Sequence, residues 1–413
     1  MKRSFFQKFR GYFSISLLIK SFLGAAALSI FLLADFFGWH NQAIESASAI
    51  VGFYLLVTLP RGFWAGFFLG LFWFWWIGLS FRYYDLAWMI PLVILFVASV
   101  YGAIFELFYA IAAKLPYSLL FRALFLWIVS FIHPFGFNWF IPELALLHSY
   151  FFYDKLSFAL FLLGVALLAL LPLRLKTLAL LPLLFILQKP SSPPYAPLKI
   201  ELITTHIPQD KKWDKGYLHT IIEENFQAIR KAIDKRADIA VLPESAFPLF
   251  LNENPDILSS LLDMSHSIAI VTGGLQYSEG KIYNSTYVFD KGRYIILNKV
   301  VLVPFGEEIP LPRPLAKIVN RLFFGGAEDY DHAKSPQTYT IKGSSFTNAI
   351  CYEATHPLIY QTSTPYIIAI SNNAWFLPSY EPNLQNLIIK YYATMHNKRV
   401  YHATNIAKTE VLP

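Results

Sequence analysis

The stretch at residues 346–353 is FTNAICYE, and it contains the sole cysteine of the chain, Cys351. An apolar, strand-like run, Phe346 to Ile350, leads into this cysteine, and the carboxylate of Glu353 follows two residues later. A single cysteine cannot form an internal disulfide. It is therefore an inert core residue, an accessible thiol or a nucleophile.

The composition around this stretch indicates two different units. The 413 residues are 55% hydrophobic and 17% aromatic, which is too apolar for a water-soluble protein of this size. The excess lies in residues 1–190, where long apolar runs alternate with short polar breaks, whereas residues 198–413 have the composition of a globular domain. A Pro/Ser-rich linker at 191–197 joins them. The net charge of +7 is scattered and lacks a nucleic-acid-binding signature, so we expect no nucleic-acid partner.

The first unit is predicted to span a membrane about seven times, since each span needs about 20 mostly apolar residues. The basic N-terminus precedes an apolar run; without a convincing cleavage site, a retained helix is favoured over a signal peptide. Positive charges recur at alternate breaks, which places the N-terminus in the cytoplasm and the globular domain outside, in the periplasm. The candidate spans are 17–38, 43–60, 62–80, 86–113, 117–133, 155–173 and 175–189.

Two features of the membrane unit stand out. Glu106 lies within an apolar run, where a carboxylate must face protein or water; a helix-packing hydrogen bond is favoured over a functional role. The aromatic stretch at 134–140, which includes Trp139, is predicted to be an interfacial belt or, less favoured, the lining of a lipid entry.

The globular half alternates strand and helix patterns, which predicts a layered α/β domain. Predicted strands lie at 198–205, 238–242, 267–273, 282–288, 293–297, 346–351 and 366–371, and predicted helices at 216–236, 255–265 and 383–398. A hairpin turn is predicted at 290–292.

Three of the predicted strands end at residues that can do chemistry. Glu244 follows Val241-Leu242-Pro243, Lys299 follows the run at 293–297, and Cys351 ends the third. A thiol nucleophile needs a base, and a nearby cation favours the thiolate and can hold an oxyanion. Each residue alone is weak evidence, because isolated Glu, Lys and Cys are usually structural. The set is more specific, since α/β folds place their sites at strand-to-loop transitions.

These segments, in this order and spacing, resemble the Glu-Lys-Cys triad of the nitrilase superfamily. Together with the membrane unit, the chain resembles the bacterial apolipoprotein N-acyltransferase family over nearly its whole length. The strings that carry the resemblance are Ile207-Pro208-Gln209 with Lys212-Trp213-Asp214, Pro243-Glu244-Ser245, Asn298-Lys299 with residues 302–307, residues 349–353, and residues 371–376.

The resemblance implies a four-layer α-β-β-α sandwich carried by a multi-span helical membrane domain. It implies that Cys351 is the nucleophile, Glu244 the general base and Lys299 the oxyanion stabiliser. Glu307, Tyr352 and Glu353 would support the site. Residues predicted to contact substrate, by resemblance or by position, are Gln209, Trp213, Trp375 and Trp139; simple packing remains the alternative for Trp213 and Trp375.

The activity implied is a ping-pong acyl transfer. A membrane phospholipid would acylate Cys351, and the α-amine of a lipoprotein's diacylglyceryl-cysteine would take the acyl chain as an amide. The expected location is the bacterial inner membrane, with a periplasmic catalytic domain. We expect a monomer and no cofactor or metal. The alternatives are a membrane-tethered amidase that uses water as the acceptor and a degenerate scaffold protein.

The sequence departs from the family pattern in three places. It stops at Pro413, where further strands and a final membrane helix are expected, so the chain would be naturally short, truncated or degraded, and a sheet edge could be exposed. Asn373 stands where an acidic residue is expected, and Leu377 where a glycine is expected. Both lie on a presumed substrate loop, so the acceptor preference could differ.

Overall fold

The structure is a computed structural model and describes residues 13–187, 193–323 and 330–413. The basic N-terminal cluster and the first residues of the predicted linker lie outside these ranges. The chain divides into two compact units. One holds residues 1–133, 140–190 and 378–387, and the other holds residues 134–139, 191–377 and 388–413. The predicted units, 1–190 and 198–413, placed 134–139 in the first and 378–387 in the second, and their bounds stay a prediction.

The first unit is helical throughout its described part. Its α-helices are α1 (Ile15–Leu28), α2 (Ile30–Phe37), α3 (Gln42–Thr58), α4 (Phe63–Phe74), α5 (Ile90–Ala112), α6 (Ser118–Ile128), α7 (Lys155–Leu170) and α8 (Leu181–Leu184). Tighter 3₁₀ segments cover Trp75–Tyr84, Ala87–Met89, Val129–Phe131, Pro142–Leu146 and Leu173–Leu180.

Each of the seven predicted apolar runs contains helix. Among the described residues, Phe63–Tyr84 and Ala87–Ala112 are long and apolar enough to cross a membrane alone, and α1 with α2 makes a third such segment bent by 46°. The count of seven spans stays a prediction. Helices α4 and α5 pack closely at Gly66, where a Cβ would lie 2.4 Å from the carbonyl oxygen of Tyr101. Small residues at such contacts are how helices approach each other in lipid.

Glu106 on α5 caps the neighbouring helix. Its Oε2 accepts hydrogen bonds from the backbone N–H groups of Gly62 (3.0 Å) and Phe63 (3.1 Å), at the start of α4. Its Oε1 lies 3.3 Å from Arg61. The carboxylate therefore satisfies orphan donors at a helix N-terminus, where negative charge is favoured. These hydrogen bonds are helix-packing contacts, the interpretation of Glu106 that was favoured over a functional role.

The second unit contains two β-sheets. One has the strand order β1-β2-β4-β5-β6, with β3 also paired to β4, and the other has the order β11-β10-β9-β8-β7. The strands of the first sheet are β1 (Ile200–Leu202), β2 (Ile239–Val241), β3 (Phe247–Phe250), β4 (Ala269–Ser278), β5 (Lys281–Asp290) and β6 (Arg293–Asn298). Those of the second are β7 (Thr338–Ile341), β8 (Ser344–Ile350), β9 (Tyr366–Asn372), β10 (Arg399–Asn405) and β11 (Glu410–Leu412).

The two sheets pack face to face, and helices cover their outer faces. The α-helices in the described part of 198–413 are α9 (Gln209–Lys212), α10 (Lys215–Asp234), α11 (Pro255–Met264), α12 (Arg313–Phe323) and α13 (Glu381–Met395), of which α10, α11 and α13 cover the sheets. Val241 and Val271 from the first sheet share one buried cluster with Phe346 and Ile368 from the second. Side chains of α10 and α11 bury the outer face of the first sheet, and side chains of α13 bury that of the second. The predicted α-β-β-α order of layers is confirmed.

The parallel strands explain where the site forms. Strand β2 pairs in parallel with β1 and β4, and β8 and β10 each pair in parallel with β9. The carboxyl ends of β2 and β8 therefore deliver Glu244 and Cys351 into loops at the ends of parallel strands. Such ends are where α/β folds place ligands.

Gly273 on β4 allows the loop of Glu244 to lie against the sheet. A Cβ on Gly273 would stand 2.4 Å from the backbone nitrogen of Ser245 and 2.7 Å from the Cα of Glu244. Since both neighbours are backbone, they can yield only if the loop moves. The next residue, Gly274, has more room, because its nearest neighbour would be 3.3 Å away, at the Cβ of Leu251.

We predict that Gly273→Ala destabilises the protein by about 1–3 kcal/mol, the usual cost of forcing a methyl into a packed interior. Gly274→Ala is the matched control, with a smaller effect expected. Thermal unfolding of the detergent-solubilised chain measures both. Equal unfolding temperatures for the two variants would show that the close approach at Gly273 is not what fixes this loop.

Candidate active site

Glu244 lies in a loop that follows β2, and both of its carboxylate oxygens are held. Oε1 accepts a hydrogen bond from the side-chain amide of Asn284 on β5 (2.7 Å). Oε2 accepts one from the backbone N–H of Asn372 at the end of β9 (2.8 Å). The carboxylate is therefore fixed in orientation by two strands from two different sheets, as a general base must be.

Lys299 follows β6 and is completely buried. Its Nζ lies 2.6 Å from Oε2 of Glu307. Burial by itself lowers the pKa of Lys299, but Glu307, Glu244 and Cys351 outweigh burial, and the net pKa lies above its ordinary value. The surrounding groups therefore favour the ammonium form, and Lys299 lies near enough to Glu244 and Cys351 to interact with both. The structure thus brings together the three residues of the predicted triad.

Cys351 stands directly after β8 and is partly exposed. Its backbone φ is +55°, in the left-handed region that non-glycine residues rarely adopt. Ser245, which follows Glu244, has a φ of +47°. Two loops of the site thus carry strained backbone, and such strain is found preferentially at functional sites. The sharp turn at Cys351 ends the strand and begins the short 3₁₀ segment Cys351–Thr355.

Glu307 occupies the position of a second carboxylate beside Lys299. Besides its ion pair, its Oε2 accepts a hydrogen bond from the backbone N–H of Val303 (2.9 Å). Its Oε1 accepts the second hydrogen bond that Asn284 donates (2.9 Å). Asn284 therefore lies between Glu244 and Glu307 and gives one hydrogen bond to each.

Glu353 ties the cysteine loop to the lysine loop. Its Oε2 accepts hydrogen bonds from the backbone N–H groups of Val300 (2.7 Å) and Val301 (3.3 Å), directly after Lys299. Its Oε1 accepts one from Ile350, directly before Cys351 (2.7 Å). Burial raises the pKa of Glu353 to about 7, and the backbone donors and Lys299 partly oppose it. The group thus joins two of the three triad-bearing loops.

Tyr352 is anchored by the aromatic segment 134–139, which belongs to this unit. Its hydroxyl donates to the carbonyl of Gly136 and accepts from the backbone N–H of Asn138, both at 3.1 Å. The ring of Trp139 stacks near that of Tyr352, and its indole N–H donates to Oγ1 of Thr355 (2.7 Å). Trp139 is buried. Its contact with substrate stays a prediction.

The other predicted substrate residues differ in exposure. Gln209 is buried, and its Oε1 accepts a hydrogen bond from Nδ2 of Asn372 (2.8 Å), so it supports the strand end that holds Glu244. Trp213 is 45% exposed and Trp375 is partly exposed, which leaves both surfaces accessible. The two departures from the family pattern, Asn373 and Leu377, lie beside Trp375; Asn373 is buried. The substrate roles of all these residues stay predictions.

Sequence reasoning missed a second buried lysine. Nζ of Lys212 on α9 donates to the backbone carbonyl of Glu244 (3.0 Å). Burial lowers the pKa of Lys212 to about 8, against the opposing influence of Glu244 and Cys351. The string that contains Lys212 carried part of the family resemblance, but a lysine beside an exposed tryptophan gives no sign of burial. Asn284 and Asn372 were also missed, because polar residues within or at the end of a strand are common.

The comparisons with known proteins agree with this geometry. Residues 15–189 match the apolipoprotein N-acyltransferase integral membrane domain, and residues 203–408 match the carbon-nitrogen hydrolase family. The apolipoprotein N-acyltransferase of Wolinella succinogenes is 45% identical over 394 residues, covering 94% of this chain and 94% of that protein. The chain belongs to the apolipoprotein N-acyltransferase family.

Two further relatives carry the same family name. The apolipoprotein N-acyltransferase of Helicobacter pylori is 38% identical over 407 residues, covering 92% of this chain and 94% of that protein. That of Campylobacter jejuni is 37% identical over 398 residues, covering 94% and 88%. The similarity therefore extends over both units, and the predicted combination of a membrane domain with a nitrilase-like domain is confirmed.

We predict that Glu353→Gln lowers the acyltransferase rate roughly 10- to 100-fold, because an amide places N–H donors against backbone N–H donors and leaves buried groups unsatisfied. The pH dependence has a definite sign. Since burial raises the pKa of Glu353 to about 7, the wild-type carboxyl gains a proton as the pH falls through 7 and loses acceptor capacity. The wild-type rate should therefore fall as the pH is lowered through 7, and the rate of Glu353→Gln should not show this fall.

The measurement is initial rate against pH between 5 and 9, with Glu253→Gln as the control, because Glu253 is an exposed carboxylate of the same unit. Its profile should match wild type. Identical acid limbs in wild type and Glu353→Gln would assign that limb to another group.

Proposed function

We propose that this chain transfers an acyl chain from a membrane phospholipid, by way of a thioester on Cys351, to the α-amine of the diacylglyceryl-cysteine of lipoproteins. Lipoprotein N-acylation is the activity for which the family is named. The observation that supports the chemical route is the convergence of a fixed carboxylate, a buried lysine and a strained, partly exposed cysteine at adjoining strand ends. The degenerate-scaffold alternative would not require any of the three to be held so closely.

The first half-reaction forms the thioester. Glu244 takes the proton of the Cys351 thiol, and the thiolate attacks the carbonyl carbon of a phospholipid ester. The oxyanion that forms is held by the Lys299 ammonium and, in this proposal, by the backbone N–H of Tyr352. When the tetrahedral intermediate collapses, the C–O bond breaks, and the proton on Glu244 passes to the departing lysophospholipid alkoxide.

The second half-reaction runs through the same groups. Glu244 accepts a proton from the lipoprotein amine as the nitrogen attacks the thioester carbonyl. Lys299 again holds the oxyanion, the C–S bond breaks, and the proton returns to the Cys351 thiolate. The product is an amide, which is more stable than the thioester it replaces, so the second step runs downhill.

The proposed substrates explain why the catalytic unit is joined to a membrane unit. Both proposed substrates carry acyl chains, and each buried CH₂ contributes about 0.8 kcal/mol to staying in lipid. A site that acts on them must therefore lie at a bilayer. We place the chain in a bacterial inner membrane, with the catalytic unit on the periplasmic side, on the strength of the alternating basic breaks in the sequence. A monomer suffices for this proposal, because all three proposed catalytic residues come from one chain.

The thioester is the intermediate that tests the route. Purified chain incubated with phospholipid should gain the mass of one acyl group on Cys351, and hydroxylamine should remove it. Cys351→Ala should carry no such adduct. Absence of the adduct from wild type under conditions where acyl transfer is measured, or its presence in Cys351→Ala, would contradict the ping-pong route.

A diacylglyceryl peptide added to the acylated enzyme distinguishes transfer from hydrolysis. Transfer yields the N-acylated peptide and restores the mass of the unmodified chain. Release of free fatty acid at the same rate with and without peptide would instead identify an enzyme that uses water as the acceptor.

Lys299 can be tested in the first half-reaction alone. Lys299→Ala should slow the formation of the Cys351 adduct by roughly 10²- to 10³-fold, the usual effect of losing one oxyanion donor. Lys299→Met, which retains most of the packing volume, should be similarly slow, and the exposed Lys281→Ala should match wild type. A Lys299→Met rate within twofold of wild type would remove the lysine from this role.

A further inference from the structure

A cluster of histidines and carboxylates lies in the helical unit, and none of its residues takes part in the proposed acyl transfer. Asp35 lies near the end of α2, His40 lies in the turn that follows, Glu45 lies in the first turn of α3, and His148 follows the 3₁₀ segment Pro142–Leu146. No metal was expected from the sequence, since His148 lies more than a hundred residues beyond the others. The fold brings them together.

Glu45 is the buried centre of the cluster. Its side chain is 1% exposed, and each of its oxygens faces one histidine. Oε1 lies 3.4 Å from Nδ1 of His40, and Oε2 lies 3.3 Å from Nδ1 of His148. A carboxylate that faces one nitrogen of an imidazole fixes the tautomer and leaves the other nitrogen as a lone-pair donor. Glu45 is placed to do this for two rings at once.

Asp35, His40 and His148 lie close enough together to share an ion. Nε2 of His40 lies 3.7 Å from Oδ1 of Asp35. The two imidazole rings are 4.3 Å apart between centroids. One ligand atom from each of Asp35, His40 and His148 can be chosen so that all three lie within 4.8 Å of one another. Bonds of about 2.0–2.1 Å to a tetrahedral ion place ligand atoms roughly 3.3–3.5 Å apart. The 3.7 Å between His40 and Asp35 is already close to that spacing, and side-chain rotation of His148 would complete the site.

We propose that Asp35, His40 and His148 bind a divalent transition-metal ion, with zinc as the ion that best fits, and that Glu45 is the positioning residue behind both histidines. Two imidazoles and one carboxylate form a ligand set typical of zinc, with one position open to water. A carboxylate behind a metal-bound histidine is the usual outer partner of such ligands. A metal ion bound to the two imidazoles would bring positive charge close to the buried carboxylate of Glu45.

The surrounding contacts hold the ligands in place. Nε2 of Gln42 donates to the carbonyl of Ser149 (3.0 Å), and the backbone N–H of Tyr150 donates to Oγ of Ser46 (2.9 Å). Both bonds fasten the His148 segment to α3. Nδ2 of Asn383, a residue of the same unit, donates to Oδ2 of Asp35 (2.8 Å) and leaves Oδ1 toward His40. The site is therefore preorganised on the helical scaffold.

Access for an ion is also provided. The side chain of His40 is 42% exposed, that of Asp35 is 23% exposed and that of His148 is 13% exposed, whereas Glu45 behind them is buried. The ligand side of the cluster thus faces solvent, and the supporting side faces the protein. A bound ion would link the turn between α2 and α3, which carries His40, to the segment before α7, which carries His148.

The test is metal binding by the full chain in detergent, purified without a polyhistidine tag and stripped with a chelator. Zinc is added back, and bound zinc is measured by mass spectrometry of the metal and by competition with a chromophoric chelator. We expect one zinc ion per chain in wild type. His40→Ala and His148→Ala should each lose it, and Glu45→Gln should bind roughly 10- to 100-fold more weakly, the usual effect of removing an outer carboxylate.

His219→Ala is the control, because His219 is an exposed histidine of the other unit, and it should retain the zinc of wild type. Cobalt substitution adds a readout that does not depend on activity: wild type should give the visible absorption of a tetrahedral Co²⁺ site, and His40→Ala should not. Thermal unfolding confirms that each variant is folded, and added zinc should raise the unfolding temperature of wild type but not of His148→Ala.

Two results would overturn the proposal. One is zinc binding by wild type no greater than that of the His40→Ala, His148→Ala double variant. The other is a wild-type preference for calcium or magnesium over zinc, which would mean that the carboxylates act without the imidazoles.

Discussion

A lysine ammonium without contact with water is the constraint on which the catalytic unit depends. Lys299 is completely buried, and transferring such a charge out of water costs several kcal/mol unless it is paired and well oriented. Glu307 at 2.6 Å supplies the pairing charge, and it is itself held by the backbone of Val303 and by Asn284. Loss of either partner would leave an uncompensated buried charge, so the loops that carry them must close in one arrangement.

That arrangement also brings two carboxylates close together, and Asn284 holds them apart. Glu244 and Glu307 both face Lys299, and two neighbouring carboxylates repel each other. The amide of Asn284 donates to one oxygen of each, at 2.7 and 2.9 Å. The two acids are thereby kept in distinct positions: Glu307 pairs with the lysine, and Glu244 is left to act on Cys351. A single residue on β5 thus separates the structural carboxylate from the proposed base.

The sequence predicted the elements that are long or bounded by clear turns. The hairpin at 290–292 is confirmed, with Lys291 and Gly292 both at positive φ between β5 and β6. Strands β3, β7, β10 and β11 were not predicted; β3 and β11 are only three or four residues long, and β10 follows directly on a helix pattern. Glu244, Lys299 and Cys351 could be singled out from the sequence because each lies just after a predicted strand or at its end; their roles stay predictions. Asn284, Lys212 and the role of residues 134–139 could not be predicted, since they depend on which strand ends and loops meet in three dimensions.

The carboxylate in the histidine cluster, Glu45, has different partners from the other carboxylates that are buried or partly buried in the protein. Glu106 is satisfied by the backbone N–H groups that begin α4, and Glu143 is satisfied by the ammonium of Lys155. Glu353 accepts three backbone N–H groups. Each of these carboxylates is paired with backbone N–H groups or with a lysine ammonium, which present positive charge to it. Among the described residues, the ion-pair partners of Glu45 are two imidazoles, which are neutral in their unprotonated state.

A carboxylate as buried as that of Glu45 needs positive charge nearby. A metal ion held by His40 and His148, the two rings that face its oxygens, would supply that charge. The same demand that closes the catalytic loops around Lys299 therefore favours an ion at Asp35, His40 and His148.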